Sequence, residues 1–232
     1  MKAMILAAGR GERMRPLTDK MPKPLLEVAG KPLIVHHIES MVAAGIDDIV
    51  INHAYLGMQI VDALGNGSQY GANIEYSAEQ EPLETGGGIL QALPLLGDEP
   101  FIICNGDIWT DYPFARLLDC QLDLAHLVMV ENPGHHTQGD FFLRDNGQVC
   151  LKTVTGIPLK GKGKNATYAG ISVLDPRLFT GSTEQSFALR VPLLAAMAEG
   201  RISGEFYSGS WVDVGTPQRL QQLEQELSPC RG

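Results

Sequence analysis

Residues 2–18 read KAMILAAGRGERMRPLT, and the change of character within this stretch sets the fold. Lys2–Ala7 is a short apolar run that ends at Gly9 and Gly11, which predicts a buried strand running into a tight loop. Downstream, Pro32 opens a helix at its first turn. Leu33, Ile34, His37, Ile38, Met41 and Val42 then recur at helical spacing until Gly45. Asp48–Asn52 reads as a second strand, Tyr55–Leu64 as a second helix and Ala72–Tyr76 as a third strand. Gly86–Leu93 reads as another helix, and Pro100–Asn105 is apolar enough for a central parallel strand. Strands and helices in alternation predict an α/β fold with a parallel sheet covered on both faces.

The second half changes pattern. Leu124–Val130 continues the strands, but Asp140–Arg144 and Gln148–Lys152 flank Asp145-Asn146-Gly147, a hairpin signal. Thr167–Leu174 reads as a strand, Phe187–Ala198 as a helix, Ser210–Val214 as a short strand and Pro217–Leu227 as a closing helix. Lys160-Gly-Lys-Gly-Lys164 reads as a mobile loop. No internal repeat and no linker separates the chain into independent parts.

The 232 residues are 44% hydrophobic, enough for one domain with a sizeable core. No run approaches the ~18–20 apolar residues of a membrane span. The N-terminus turns basic too early for a secretory signal. Cys104, Cys120, Cys150 and Cys230 have no metal-ligand spacing, so reduced thiols in a cytoplasmic protein are expected. A net charge of −9 argues against nucleic acid as a partner. That charge is unevenly spread. Arg10, Arg13, Arg15, Lys20, Lys23 and Lys31 outnumber Glu12, Asp19 and Glu27 in one window. A cationic strip on an acidic protein suits a small anion such as phosphate, or equally a solvated loop.

Residues 6–18 fit neither a Walker loop nor a dinucleotide fingerprint, since Met14 stands where the latter needs a third glycine. Gly9 and Gly11 alone suit any tight turn. With Arg13 and Arg15 behind them they suit an anion approached by backbone N–H groups. Pro22 and Pro24 hold the chain stiff around Lys23, which favours a fixed point charge. Asp107 and Asp213 each follow an apolar strand. Singly each reads as a turn or cap; together they suit Mg²⁺, which takes one or two carboxylates plus phosphate oxygens.

The run Leu6-Ala-Ala-Gly-x-Gly-x-Arg-x-x-Pro-Leu-Thr18, followed by Pro22-Lys23-Pro24, resembles the signature of the sugar-1-phosphate nucleotidyltransferases, the NDP-sugar pyrophosphorylases. Glu84-Thr-Gly-Gly-Gly88, Asn105-Gly-Asp107 and Trp211-Val-Asp-Val-Gly-Thr216 agree with it. Asn132-Pro-Gly-His-His136, Gly139-Asp-Phe141, Gly170-Ile-Ser172 and Gly204-Glu205 with Tyr207 narrow the resemblance to the branch that takes UTP and N-acetylmuramic acid 1-phosphate. The resemblance implies a Rossmann-like three-layer fold with a mixed sheet. It also implies one domain over residues 1–232, with a nucleotide part to about residue 120 and a sugar-phosphate part beyond. It implies a Mg²⁺-dependent, monomeric enzyme of cell-wall (peptidoglycan) sugar recycling.

For the site, the resemblance implies Lys23, Arg13 and Asp107 in catalysis. It places Leu6, Ala8, Gly9, Gly11, Glu12, Arg13, Lys23, Asn52, Thr85 and Gly86 on the nucleotide. Asn105, Gly139, Asp140, Gly170 and Glu205 fall on the sugar phosphate, and Asp107 and Asp213 on the metal. Other readings stay beside these. The three glycines 86–88 could merely let a helix pack close, and Asn52 could end a strand. His135 and His136 read as turn residues with no acid to orient them, His36 and His37 as packing or surface, and Trp211 as core. Many family members carry Glu-Lys-Pro after the hairpin; here only Lys152 could stand in. For a lactyl carboxylate, Arg144 and Lys160 are the candidate cations. Rival functions are a glucose- or mannose-1-phosphate enzyme using dTTP or GTP, and a silent nucleotide or sugar-phosphate sensor.

Overall fold

Ala3–Leu6 (β1) forms the middle of the sheet in the computed structural model, which describes residues 1–81, 83–154, 157–158 and 161–228. Its side chains alternate between two cores, Ala3 and Ile5 facing one and Met4 the other, so an apolar run serves both faces. A short ribbon follows, β2 (Glu27–Val28) with β3 (Lys31–Pro32), and leads into α1 (Leu33–Ala43). Leu33, Ile34, Ile38 and Met41 of α1 are buried, and Pro32 caps the helix rather than joining its first turn. Then come β4 (Asp48–His53), α2 (Gly57–Leu64), β5 (Asn73–Ala78), α3 (Glu84–Leu96) and β6 (Phe101–Asn105). The strands β6, β1, β4 and β5 are parallel, as the alternation of elements predicts.

The second half adds β7 (Ile108–Thr110), β8 (Ala125–Val130), the hairpin β9 (Phe141–Arg144) and β10 (Val149–Cys150), and the ribbon β11 (Thr153–Val154) and β12 (Ile157–Pro158). It closes with β13 (Gly163–Leu174), α4 (Arg190–Ala198), β14 (Ile202–Phe206), β15 (Trp211–Asp213) and α5 (Pro217–Leu227). The long β13 runs antiparallel to β6 and also pairs with β8 and β9. It thereby joins both halves in one mixed sheet, nine-stranded among the described residues. This is an α/β fold of the Rossmann-like kind, with helices over both faces.

Three expectations shift. Lys164 and Gly163 open β13 and are not loop; Lys160 lies outside the described residues. The helix expected from Phe187 begins at Arg190, because Phe187 pairs its backbone with Leu83, Gly86 and Gly87. β14 is a strand that the sequence reading lacks. Its Gly204 carries no side chain, and a Cβ there would meet Leu127 O at 2.7 Å. α5 matches its expected bounds: Thr216 accepts the Arg219 N–H as N-cap, and Pro217 sits at the first helical position. Among the described residues no helix is long and apolar enough to cross a membrane.

Candidate active site

Beyond Leu6 the chain leaves the sheet at its carboxyl edge and folds back on itself. Thr18 Oγ1 donates to the Gly11 carbonyl at 2.8 Å, and Gly11 adopts φ +62° against the Thr18 side chain. Met14 is buried and anchors the loop, while Arg10 and Arg13 stay exposed. Neither guanidinium has a carboxylate partner among the described residues. Two unpaired cations behind a glycine turn make a site for a polyanion.

Pro22 is extended and Lys23 opens a single helical turn, Lys23–Leu25, that buries it to 7% exposure. Its ammonium donates to Asp107 Oδ2 at 2.8 Å. Asp107 stands just past the end of β6, where a parallel sheet presents its ligands. Burial pushes the pKa of His37 down to about 4, so its neutral ring donates Nε2–H to the Ile108 carbonyl at 2.9 Å and fixes the start of β7. β15 pairs with β7 so that Asp213 lies opposite Ile108, and Val214 N–H donates to the Asp107 carbonyl at 3.0 Å. Two carboxylates remote in sequence thus stand on neighbouring strands. Asp107 Oδ2 meets Lys23, and Asp213 Oδ2 meets Arg219 Nη1 at 2.5 Å. The Oδ1 atom of each accepts no hydrogen bond among the described residues.

These elements surround a cleft of about 740 Å³. Of the expected residues, Leu6, Ala8, Gly9, Gly11, Glu12, Arg13, Lys23, Asn52, Thr85, Asn105 and Asp107 line it; Asp213 does not, although Gly215, two residues on, does. Glu79, Gln80, Glu81, Leu83 and Glu84 line it as well. Gly86 lies outside the lining. Its N–H donates to the Phe187 carbonyl at 2.8 Å, and a Cβ would meet Phe187 at 2.4 Å, so here the close-packing reading of the glycines describes the geometry.

Asn52 is 3% exposed and fully engaged: Oδ1 accepts from Ala7 N–H at 2.9 Å and Nδ2 donates to Glu79 Oε1 at 2.6 Å. Glu79 Oε2 in turn accepts from Leu83 N–H at 3.3 Å. Asn52 therefore ties Ala7, at the start of the glycine loop, to Glu79 in the cleft wall and does more than end a strand. Asn52→Ala would leave an amide and a carboxylate oxygen short of a partner. We expect a loss of about 2–6 kcal/mol in urea unfolding, at about 1–3 kcal/mol for each of the two orphaned groups.

On the sugar side only Asn105 lines the cleft. Gly170 supports it: at φ +77°, in the bulge where β13 changes register, it leaves room for the Asn105 side chain 2.6 Å from where a Cβ would be. Trp211 is half-buried, and its Nε1–H donates to the Ala169 carbonyl in the same bulge. Gly139, at φ +62°, packs on Asn132 and Ala166, and its carbonyl accepts from Lys152 Nζ at 2.7 Å. Asp140 accepts from the Tyr168 N–H, and Glu205 holds Tyr112 and Arg116, so both carboxylates are spent on internal partners.

The expectation that His135 and His136 lack an acid is overturned. His136 Nε2 lies 3.1 Å from Asp140 Oδ1, and His135 Nε2 lies 3.4 Å from Asp213 Oδ2 and 3.1 Å from Arg219 Nη1. Asp213 and His135 are 78 residues apart, and no local signal could join them. His36 and His37 both bond backbone carbonyls, as packing residues do.

Residues 2–139 match the nucleotidyl transferase family model. The chain is 50% identical over 231 residues to an N-acetylmuramate alpha-1-phosphate uridylyltransferase of Neisseria meningitidis serogroup B, covering 97% of each. It is 36% identical over 242 residues to one of Caulobacter vibrioides, covering 97% of this chain and 96% of the relative. A Bacillus anthracis crystal structure in complex with sucrose superposes with a TM-score of 0.83 over 100% of this chain and 97% of the other; at 21% identity it shows the fold.

Proposed function

The chain belongs to the nucleotidyl transferase family, and on that premise we propose that it joins UTP to N-acetylmuramic acid α-1-phosphate. A phosphate oxygen of the sugar attacks the α-phosphorus of UTP, and the bond from that phosphorus to the bridging oxygen breaks. UDP-N-acetylmuramic acid and pyrophosphate leave. The observation that carries the reading is the buried Lys23 ammonium on Asp107, in a cleft whose loop holds Arg10 and Arg13 without partners. The choice of uridine and of the muramyl sugar rests on the two relatives that bear that name over nearly their whole length.

The attacking phosphate is already ionised, so no general base is needed. Catalysis is positioning and charge neutralisation. Ala7–Gly11 and Arg13 bind the triphosphate, with Arg13 toward the leaving pyrophosphate. Lys23 meets the charge that develops about the α-phosphate, and Asn105 orients the sugar. Asp107 and Asp213 fit Mg²⁺, since each offers an oxygen with no hydrogen bond among the described residues. Bound there, Mg²⁺ would supply a charge clamp between phosphates. The product is a nucleotide-activated cell-wall sugar, which suits peptidoglycan recycling.

The test is pyrophosphate release from purified protein with UTP, dTTP, CTP, GTP and ATP against a panel of sugar 1-phosphates, with Mg²⁺ and with chelator. The highest kcat/KM is expected for UTP with N-acetylmuramic acid 1-phosphate, and none with chelator. A better pairing of glucose or mannose 1-phosphate with dTTP or GTP defeats the substrate assignment; no turnover with any pair points to a sensor.

A further inference from the structure

We propose that Gly215 is a positioning residue, the opening that lets Asp213 face the triphosphate in the cleft; the inference rests on the nucleotidyltransferase reading above. Asp213 is set back from the cleft, whereas Gly215 and Arg13 are both part of its lining. The three atoms nearest to a Cβ placed on Gly215 are Asp213 Oδ1 at 2.9 Å, Arg219 Nη1 at 3.2 Å and Arg13 Nη2 at 3.4 Å. Each is the polar end of a side chain. They come from three parts of the sequence: the end of β15, the first turn of α5 and the turn behind the glycine loop.

Backbone conformation does not ask for glycine at this position. Gly215 has no positive φ, so its own backbone would accept a side chain. What the position needs is space. At 2.9 Å a methyl carbon and a carboxylate oxygen overlap, and the Asp213 carboxylate is not free to give way. Its Oδ2 accepts from Arg219 Nη1, which stands close to the same point. A methyl group on residue 215 would therefore turn Oδ1 away or break the carboxylate from Arg219.

Other tightly placed glycines of the chain differ. Gly86 admits the Phe187 ring, and Gly139 the Ala166 carbonyl. At Gly88 the nearest atoms are also polar ends, Glu79 Oε1 and Asn52 Nδ2, but these two bond each other. At Gly215 a carboxylate oxygen and a guanidinium flank one point without being joined. Neither Asp213 Oδ1 nor the Arg13 guanidinium makes a hydrogen bond among the described residues. Two such groups left open side by side suit a phosphate that arrives with a divalent cation. Arg13 donates to a phosphate oxygen, and Asp213 Oδ1 takes the cation. Without that cation Asp213 would repel the phosphate that Arg13 attracts, so the two groups serve one ligand only together.

The experiment measures Mn²⁺ binding in the presence of UTP by electron paramagnetic resonance, in the unaltered protein, Gly215→Ala and Gly215→Val, with a thermal melt of each. Affinity should fall ~10–10²-fold in Gly215→Ala, the scale for disturbing a residue that orients a metal ligand, and further in Gly215→Val. The melt of Gly215→Ala should change little. Equal losses in the two variants would mean that residue 215 needs backbone freedom and not space, and unchanged affinity would make Gly215 a packing glycine only. Either result overturns the inference. Should the Gly215 variants fail to fold, Arg13→Gln and Asp213→Asn decide. If both groups face one metal-bound phosphate, the double variant loses less affinity for Mn²⁺–UTP than the product of the single losses; independent losses overturn the inference. Pyrophosphate release by the unaltered protein is read separately. None with any sugar 1-phosphate, from protein that binds Mn²⁺–UTP, defeats the proposed function and not the inference, whereas no binding of Mn²⁺–UTP defeats both.

Discussion

Replacing Lys23 by alanine is expected to lower turnover by at least ~10²-fold, the scale of removing one preorganised charge from a transition state, while the chain stays folded. The two effects separate because of where each partner sits. The Lys23 side chain is only 8% exposed and fixed between Pro22 and Pro24, but the Asp107 side chain it meets is 40% exposed. Without Lys23, water can solvate Asp107, so the unfolding midpoint should move little. The phosphates have no such substitute. A hydrated carboxylate at the strand end repels them where an ammonium drew them in. Lys23→Arg is expected to fail as well, since a planar fork cannot take the place of a compact ammonium in a seat this closed. Pyrophosphate release and a thermal melt check both halves. Turnover near that of the unaltered protein, with the melt unchanged, would remove Lys23 from the mechanism.

What was legible in the sequence is what local pattern can encode. β1, β4 and β6 are apolar on both faces and bounded by turn residues, so their burial reads directly from composition. The glycine loop and Lys23 are legible for a similar reason, because glycine and proline constrain their own neighbourhood. β15 is legible as the short strand Ser210–Val214, but β7, three residues long, is too short for any period, and the pairing of the two is what sets Asp213 beside Asp107. Gly139 and Gly170 look like openings for a ligand in the sequence, whereas their missing side chains admit Asn132 and Asn105. Spacing can signal that backbone must come close to something. It cannot say whether that something is a substrate or another part of the chain. Arg219 shows the converse: its backbone N–H donates to the Thr216 hydroxyl as a helix start should, and nothing in that signal tells which way the guanidinium points.

Asp213→Asn is expected to cost at least ~10²-fold in turnover and, unlike Lys23→Ala, to raise the Mg²⁺ concentration for half-activation by ~10–10²-fold. The asparagine keeps the shape and an oxygen toward Arg219, so the change is largely one of charge. Asp213 has two duties in this geometry. Its Oδ2 holds Arg219 and faces His135, and its Oδ1 has no hydrogen-bond partner among the described residues. The proposed metal site uses the second duty, and the first holds Arg219 in place. The metal dependence tells them apart. If Asp213 shares a cation with Asp107, either asparagine variant should weaken Mn²⁺ binding followed by electron paramagnetic resonance, and the double variant should lose less turnover than the product of the single losses. If turnover falls but the Mg²⁺ curve and Mn²⁺ binding stay put, Asp213 acts only through Arg219.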